Sequence, residues 1–301
     1  MGCLPVLRPV AAVGWGCYLG PMRAAVFSDI HGKFLLPFKL VDLYQQETGR
    51  SVDVILQCGD MGAFPDPQRL DRATLRHASR DRDELGFHDH FVTRDPDIAA
   101  HLDELDIDMI CVRGNHEDHG FLDSLEEASS EPRYPIDAYG RVLVCRSGVV
   151  QEIRAGEETL SIVGVGRIGD RKGRSAPPFL QDHERAAMRR LQRLRRDVDL
   201  LISHDQEFDE ETGFGMRELT ELLHQVPFRF HFHGHTGAPF SRRLASNGST
   251  ERIKVKELEF GPSGILDPGC MVVVEKQGTS LELEVVDQAL TNRLTQYTWR
   301  L

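Results

Sequence analysis

The sequence predicts an α/β protein in which helices cover mixed β-sheets. Strand-like and helix-like segments alternate along most of the chain. Several of the strand-like segments are short, uninterrupted apolar runs, which are typical of strands buried on both faces. Residues 134–165 and the chain from residue 253 onward contain consecutive β-like segments. The sheets are therefore also expected to contain strands that follow one another without an intervening helix.

The elements follow from local pattern, in chain order. Strands are predicted at residues 24–28, 52–58, 109–112, 141–145, 149–154, 160–165, 198–202, 228–232, 253–260, 270–275 and 281–286. Helices are predicted at residues 35–46, 96–105, 121–127, 181–196 and 216–224. The second of these helices begins at Pro96, a residue suited to a first helical turn. Residues 62–95 and 167–178 show no regular pattern and are expected to be lids, binding loops or disordered segments.

Composition limits the size, the compartment and the partners of the protein. The 301 residues are 40% hydrophobic, which is enough for one large core. The net charge of −11 argues against a general nucleic-acid coat, so an anionic substrate must be held locally by metal ions or a few arginines. The six cysteines form no Cys-x-x-Cys pair and predict free thiols in a reducing, cytoplasmic compartment. We expect no membrane span, because no apolar run reaches about 18 residues.

Three segments are expected. Residues 1–21 lack a charged leader region and a clear cleavage site, so we expect a disordered or artefactual extension ahead of Met22. Residues 22–290 are expected to form a single domain, and residues 291–301 a C-terminal tail.

Five predicted strands end in residues that can bind metal ions. Asp29 and His31 follow the first strand and can face the same ion, because residues i and i+2 of an extended segment point to one side. The other four strand ends carry Asp60, Asn115 with His116, His204, and His235. Ligands of open α/β sheets gather at the carboxyl ends of strands. Five matches in the same structural position therefore indicate a metal site.

Together these motifs resemble the calcineurin-like metallophosphoesterase family. The family's ordered signature is Asp-x-His, Gly-Asp, Gly-Asn-His-Glu/Asp, a lone His and Gly-His-x-His. In this chain the motifs stand as Asp29-Ile30-His31, Gly59-Asp60, Gly114-Asn115-His116-Glu117, His204 and Gly234-His235. The resemblance extends over residues 22–286. It implies a four-layer α/β/β/α sandwich of two mixed β-sheets flanked by helices.

The resemblance also implies a catalytic centre with two divalent metal ions. Manganese, iron and zinc all suit its mixed oxygen and nitrogen ligands. Asp60 would bridge the ions, and the remaining ligands would be Asp29 and His31 at one ion and Asn115, His204 and His235 at the other. Two ions about 3.5–4 Å apart can clamp a phosphoryl group and activate water. His116 would protonate the leaving oxygen.

The first departure from the family pattern is Gly237, which stands where a second histidine is expected. The site at Asp29 is therefore expected to be weak. Water or substrate could fill the gap, or His231 or His233 could reach in, since both share a face with His235 in an extended strand. The alternative is that His231 and His233 are ordinary strand residues.

The second departure concerns the residues after Asp60. Ser/Thr protein phosphatases carry an Asp and an Arg there, whereas this chain has Met61-Gly62-Ala63-Phe64. Glu117 or Asp118 is then expected to orient His116. Arg113 is expected either to hold phosphate or to pack beneath its loop.

Substrate class is predicted from a looser similarity. Residues 58–64, the insertion after them, and residues 114–117 and 201–205 are similar to the RNA lariat debranching enzyme branch, which cleaves phosphodiesters. Arg167 and Arg171 lie on a Gly-rich loop that could close over a phosphate ester. We predict a metal-dependent phosphoesterase with phosphodiester substrates of nucleotide or RNA type. A phosphomonoesterase for small molecules or proteins, and a non-catalytic phosphate-binding or regulatory protein with an incomplete metal site, are the alternatives.

Overall fold

The computed structural model describes residues 20–170, 172–194 and 196–300. Most of the predicted N-terminal extension and Arg171 lie outside these residues. The strands are β1 (Met22–Phe27), β2 (Val54–Gln57), β3 (Asp108–Cys111), β4 (Arg133–Pro135), β5 (Val142–Cys145), β6 (Val150–Ala155), β7 (Glu158–Val165), β8 (Leu200–Ser203), β9 (Phe230–His233), β10 (Ser241–Leu244), β11 (Glu251–Lys254), β12 (Val272–Gln277) and β13 (Ser280–Val285). The helices are α1 (Leu35–Thr48), α2 (Arg72–Ala78), α3 (Pro96–Leu105), α4 (His119–Ala128), α5 (Asp182–Leu194), α6 (Arg217–Gln225) and α7 (Gln288–Thr291). Within the described residues, no helix is both long and apolar enough to cross a membrane.

Both sheets are mixed, with parallel strands at their centres. The first sheet has the order β13-β12-β1-β2-β3-β5-β4, and its strands β1, β2, β3 and β5 are parallel. The second sheet has the order β10-β11-β9-β8-β7-β6, and its strands β11, β9, β8 and β7 are parallel. The remaining pairings are antiparallel. In each sheet, the carboxyl ends of the central strands therefore lie at one edge, where ligands bind in open α/β sheets.

The two sheets pack face to face, and helices cover their outer faces. Phe230 and Phe232 of β9 lie in the apolar cluster between the sheets, together with Val26 and Leu56 of the first sheet. The outer face of the first sheet packs on α1, α3 and α4, and that of the second packs on α5 and α6. These layers form an α/β/β/α sandwich, so the predicted fold is confirmed.

The predicted loop at residues 62–95 contains ordered structure. Helix α2 has only seven residues, too few for a periodic pattern. It is capped by Asp71, whose carboxylate accepts hydrogen bonds from two backbone amides of the first turn. Phe87 and Phe91 are buried and pack against Phe34 at ring-centroid distances of 4.9 and 5.2 Å. The segment is therefore held against the domain by its own apolar residues.

The predicted strand at residues 253–260 ends early. β11 ends at Lys254, and the chain then crosses to the end of β1, where the Leu258 amide donates to Ser28 O at 3.0 Å. Leaving the sheet brings Glu257 and Glu259 to the strand ends of the first sheet.

The last described residues also pack on the domain. Within the predicted tail at residues 291–301, Trp299 is buried in the apolar cluster that contains α1, and its ring lies 6.4 Å from that of Phe260. Arg300 forms an ion pair with Asp83 of the 62–95 segment.

Candidate metal centre

The ends of β1, β2 and β9 adopt an unfavourable backbone conformation at the predicted ligands. Asp29, His31, Asp60 and His235 all have positive φ, between 40° and 72°. Such a backbone costs about 1–3 kcal/mol for a residue with a side chain and is typical of functional sites. Hydrogen bonds between the first two strand ends hold it, from Asp29 N to Gly59 O at 3.0 Å and from His31 N to Asp60 O at 3.1 Å.

Two glycines allow the ligand loops to approach one another. A Cβ atom on Gly114 would lie 2.0 Å from Asp60 Oδ1. A Cβ atom on Gly234 would lie 1.8 Å from Ser28 Oγ and 2.2 Å from an oxygen of Asp29. These separations are far shorter than van der Waals contact. The glycine that precedes each ligand in these motifs is therefore required for the ligands to converge.

Asp60, His204 and His235 form one group of converging donor atoms, all within 4.8 Å of one another. His204 Nε2 lies 3.2 Å from Asp60 Oδ1, 3.1 Å from Asn115 Oδ1 and 3.2 Å from His235 Nδ1. His204 Nδ1 donates a hydrogen bond to Cys58 O at 2.9 Å. This hydrogen bond orients the ring so that Nε2 faces the other donors, as in metal-binding histidines. Two nitrogens and two oxygens suit a divalent transition metal.

The electrostatics of this group favour a positive charge. Burial alone lowers the pKa of His204, but the charge of Asp60 outweighs it and raises the pKa to about 9. Burial alone raises the pKa of Asp60, but His204 and His31 hold it well below its usual range. Asp60 is therefore a buried carboxylate that attracts cations.

Asp29, His31 and Asp60 form a second group, whose donor atoms also lie within 4.8 Å of one another. Asp60 belongs to both groups, which is the position expected of a bridging carboxylate. Its Oδ1 atom accepts hydrogen bonds from Asn115 N at 2.8 Å and from His116 N at 2.9 Å. The residues therefore fit two divalent cations in the predicted arrangement.

His116 lies beside the donor groups and belongs to neither. Its ring centroid is 6.0 Å from that of His31, and its Nδ1 atom forms a hydrogen bond with Asp71 Oδ2 at 2.8 Å. Burial lowers the pKa of His116, but the hydrogen bond with Asp71 and the charge of Asp60 outweigh it and raise the pKa to about 9. Asp71 thus orients His116 and stabilises its protonated form.

The prediction that Glu117 or Asp118 orients His116 is wrong. The carboxylate of Glu117 accepts hydrogen bonds from the backbone amides of Met61, Ala63 and Gly114 at 2.8, 2.9 and 3.1 Å, and so ties the loops of Asp60 and Asn115 together. Asp118 caps α4 and pairs with Arg69 at 2.9 Å. The carboxylate that contacts the His116 ring is that of Asp71, so neither Glu117 nor Asp118 orients this ring.

We expect Asp71→Asn to lower kcat by about tenfold, because the loss of a partner that orients a site residue commonly costs 10–100-fold. Asn caps a helix as well as Asp, so α2 should be retained. Steady-state kinetics with circular dichroism check this prediction. Asp66→Asn is the matched control, since Asp66 caps the neighbouring turn through Gln68 N at 2.9 Å. An unchanged kcat in Asp71→Asn would contradict the role of Asp71.

A sequence model of the calcineurin-like phosphoesterases matches residues 22–239. The chain belongs to this family. The matched region contains all five ligand-bearing strand ends, so the sequence resemblance is confirmed. Membership makes the chain a metal-dependent hydrolase of phosphate esters. No curated protein matches this phosphoesterase in sequence.

Two solved structures share the fold of this phosphoesterase. TT1561 of Thermus thermophilus is 14% identical, with a TM-score of 0.52 over 88% of this chain and 99% of that chain. GAP50, described as the anchor in the inner membrane complex of Plasmodium, is 9% identical, with a TM-score of 0.53 over 89% of this chain and 85% of that chain. At these identities the likeness establishes the fold alone.

Two arginines predicted to contact substrate are instead buried in ion pairs. Arg113 is 2% exposed and pairs with Asp123 and with Glu126 at 2.6 Å. Arg167 is 1% exposed and pairs with Asp123 at 2.8 Å and Glu184 at 3.0 Å. Of the two expectations for Arg113, packing beneath the loop is therefore the one observed. Arg171 lies outside the described residues.

The histidines considered as replacements for the missing ligand face away from the phosphoesterase site. Phe230 and Phe232 point between the sheets, so His231 and His233 point to the opposite face of β9. His231 Nε2 forms a hydrogen bond with Ser203 Oγ at 2.6 Å, and His233 belongs to none of the donor groups found among the described residues. His235 does not share their face, because it lies beyond the strand and its positive φ ends the alternation.

Sequence reasoning missed four carboxylates around the site. Asp71 contacts His116, and Glu84, Glu257 and Glu259 line a pocket of about 200 Å³ together with four of the predicted ligands, Asp29, His31, Asp60 and His235. Glu257 and Glu259 alternate in a β-like segment, and this spacing was a usable signal that they share a direction. Asp71 and Glu84 lie in a segment without any recognisable motif.

Proposed function

We propose that this phosphoesterase hydrolyses phosphodiesters of nucleotide or RNA type. The observation that carries this proposal is the charge of the pocket. Among the described residues, its lining contains five carboxylates, of Asp29, Asp60, Glu84, Glu257 and Glu259, and no lysine or arginine. A diester carries one negative charge, whereas a monoester carries up to two near neutral pH. Bound divalent ions would offset much of the carboxylate charge, but the lining offers no basic side chain for the second negative charge of a monoester, so it favours the singly charged substrate.

The helix beside the pocket supports a substrate with further phosphates. Helix α2 contributes Ala73, Thr74 and His77 to the pocket lining, and Arg72 and Arg76 on the same helix are exposed. Within the described part of the chain, no carboxylate forms an ion pair with either arginine. Free cations next to a catalytic pocket can bind the phosphates that flank a scissile bond in a nucleotide chain.

In this proposal the two donor groups would hold two divalent ions, and Asp60 is the residue common to both groups. When bound, such ions lower the pKa of water and neutralise charge on the phosphoryl oxygens. His116 acts on the leaving group. Because Asp71 occupies Nδ1, the other ring nitrogen, Nε2, is the one that can give its proton to the leaving oxygen.

Hydrolysis of bis(p-nitrophenyl) phosphate and of p-nitrophenyl phosphate, each with added Mn²⁺, tests the proposed function. We expect kcat/KM for the diester to exceed that for the monoester by at least about tenfold, because the diester brings one negative charge fewer to a pocket that lacks basic side chains. Protein treated with EDTA should lose both activities and regain them with Mn²⁺. A preference for the monoester would assign the chain to the phosphomonoesterases, and the absence of turnover of either ester would favour a phosphate-binding protein.

A further inference from the structure

The donor group at the end of β1 is incomplete by itself. Asp29, His31 and Asp60 provide one imidazole and two carboxylates, whereas protein metal sites commonly use four or more ligands. Gly237 cannot supply another. A Cβ atom at this position would meet only Glu257 Oε1, at 3.6 Å.

A third donor group adjoins this incomplete one. His31, Glu84 and Glu259 offer ligand atoms that lie within 4.8 Å of one another, and His31 Nε2 is 3.9 Å from Glu259 Oε1. His31 belongs to both groups. The carboxylates of Glu84 and Glu259 therefore lie close to the imidazole of His31, which is also expected to bind the ion at Asp29 and Asp60.

Glu84 points independently to a cation. Its residue surface is only 4% exposed, it lines the pocket, and among the described residues no hydrogen bond or ion pair satisfies its carboxylate. The neighbouring Lys33 pairs with Asp81 at 3.3 Å instead. An unpaired buried carboxylate is strongly unfavourable unless a proton or a cation compensates it.

Both carboxylates are carried by segments packed tightly on the strand ends. The turn Arg82–Leu85 that carries Glu84 lies against Gly32, where a Cβ atom would be 2.2 Å from Asp83 O. The segment that carries Glu259 is held by the hydrogen bond from Leu258 N to Ser28 O at 3.0 Å. The fold thus fixes the backbone that carries both side chains before any ion binds.

We propose that Glu259 and Glu84 complete the first metal site, together with Asp29, His31 and Asp60. This assignment rests on the proposed function only for the use of the ion in hydrolysis, and not for the binding of the ion itself. One imidazole and four carboxylates make a harder ligand set than that of the neighbouring site, which has two imidazoles. The first site therefore prefers Mn²⁺ to Zn²⁺ more strongly than its neighbour does.

Mn²⁺ binding tests this ligand set without reference to catalysis. Titration calorimetry and metal analysis of the full chain should show two Mn²⁺ ions in the unaltered protein. The double variant Glu84→Gln/Glu259→Gln should keep one ion and bind the other at least about tenfold more weakly, as expected when metal-site contacts are removed. Glu257→Gln is the matched control, because Glu257 lines the same pocket but pairs with Lys256 and lies outside the donor groups.

The outcomes separate this assignment from the proposed function. Two ions bound by the double variant with unchanged affinity would overturn the ligand assignment, whatever the activity. Selective loss of one ion would support it, even if the unaltered protein failed to hydrolyse the diester, a result that would overturn the proposed function alone. Thermal unfolding in EDTA guards against misfolding, since the melting temperature of the double variant should not fall when buried unpaired charge is removed.

Discussion

Asp60→Asn is expected to abolish hydrolysis and to weaken the binding of both metal ions. Asp60 belongs to both main donor groups, and an Asn side chain cannot offer two anionic oxygens to two ions. A bound ion contributes several kcal/mol to the stabilisation of the transition state. Each ~1.4 kcal/mol is a factor of ten, so kcat/KM should fall by about a thousandfold or more.

In the Asp60→Asn variant, the side-chain amide oxygen should still accept the hydrogen bonds from Asn115 N and His116 N, so the loops should keep their positions. Asp106→Asn is the matched control, because Asp106 also has positive φ, at 51°, but lies at the exposed end of α3. Asn tolerates this backbone. Kinetics and Mn²⁺ calorimetry on both variants check the prediction. Binding of two ions by Asp60→Asn with unaltered affinity would contradict the bridging role.

His116→Ala is expected to lose turnover while it keeps both ions. His116 belongs to no donor group, and a positioned proton donor commonly contributes 10²–10⁴-fold, so we expect kcat to fall by about that factor. The defect should be larger for a dinucleotide than for bis(p-nitrophenyl) phosphate. A ribose oxygen needs a proton to leave, whereas p-nitrophenolate is a stable anion.

His77→Ala is the control for His116→Ala, since His77 lines the same pocket from α2 and has no assigned role. Metal analysis and steady-state kinetics with both esters provide the measurements. Equal loss on the two esters would argue that His116 stabilises charge or structure rather than donating a proton. Loss of a bound ion would show that His116 is a ligand.

The location of the metal centre could be predicted because its signal is local. Asp60 and His204 each follow an apolar run that forms a central parallel strand, and such strands end at the same edge of a sheet. The glycines beside the ligands are local as well, and the structure shows the contacts that require them. The prediction that His231 and His233 share a face with His235 was wrong. Side chains alternate between the two faces only within a strand, and the positive φ of His235 interrupts this alternation.

By itself, the sequence determined the α/β fold, the family, and the five strand ends that carry Asp29, Asp60, Asn115, His204 and His235. Each depends on residues that are adjacent or regularly spaced in the chain.

Only the tertiary structure decided which other charged side chains face the site. Glu84 and Glu259 reach it because a turn packs on Gly32 and a backbone hydrogen bond ends on Ser28. The local sequence around Arg113 and Arg167 does not distinguish an arginine that binds substrate from one that forms ion pairs beneath a loop. Burial and ion-pair partners arise only when distant segments pack together.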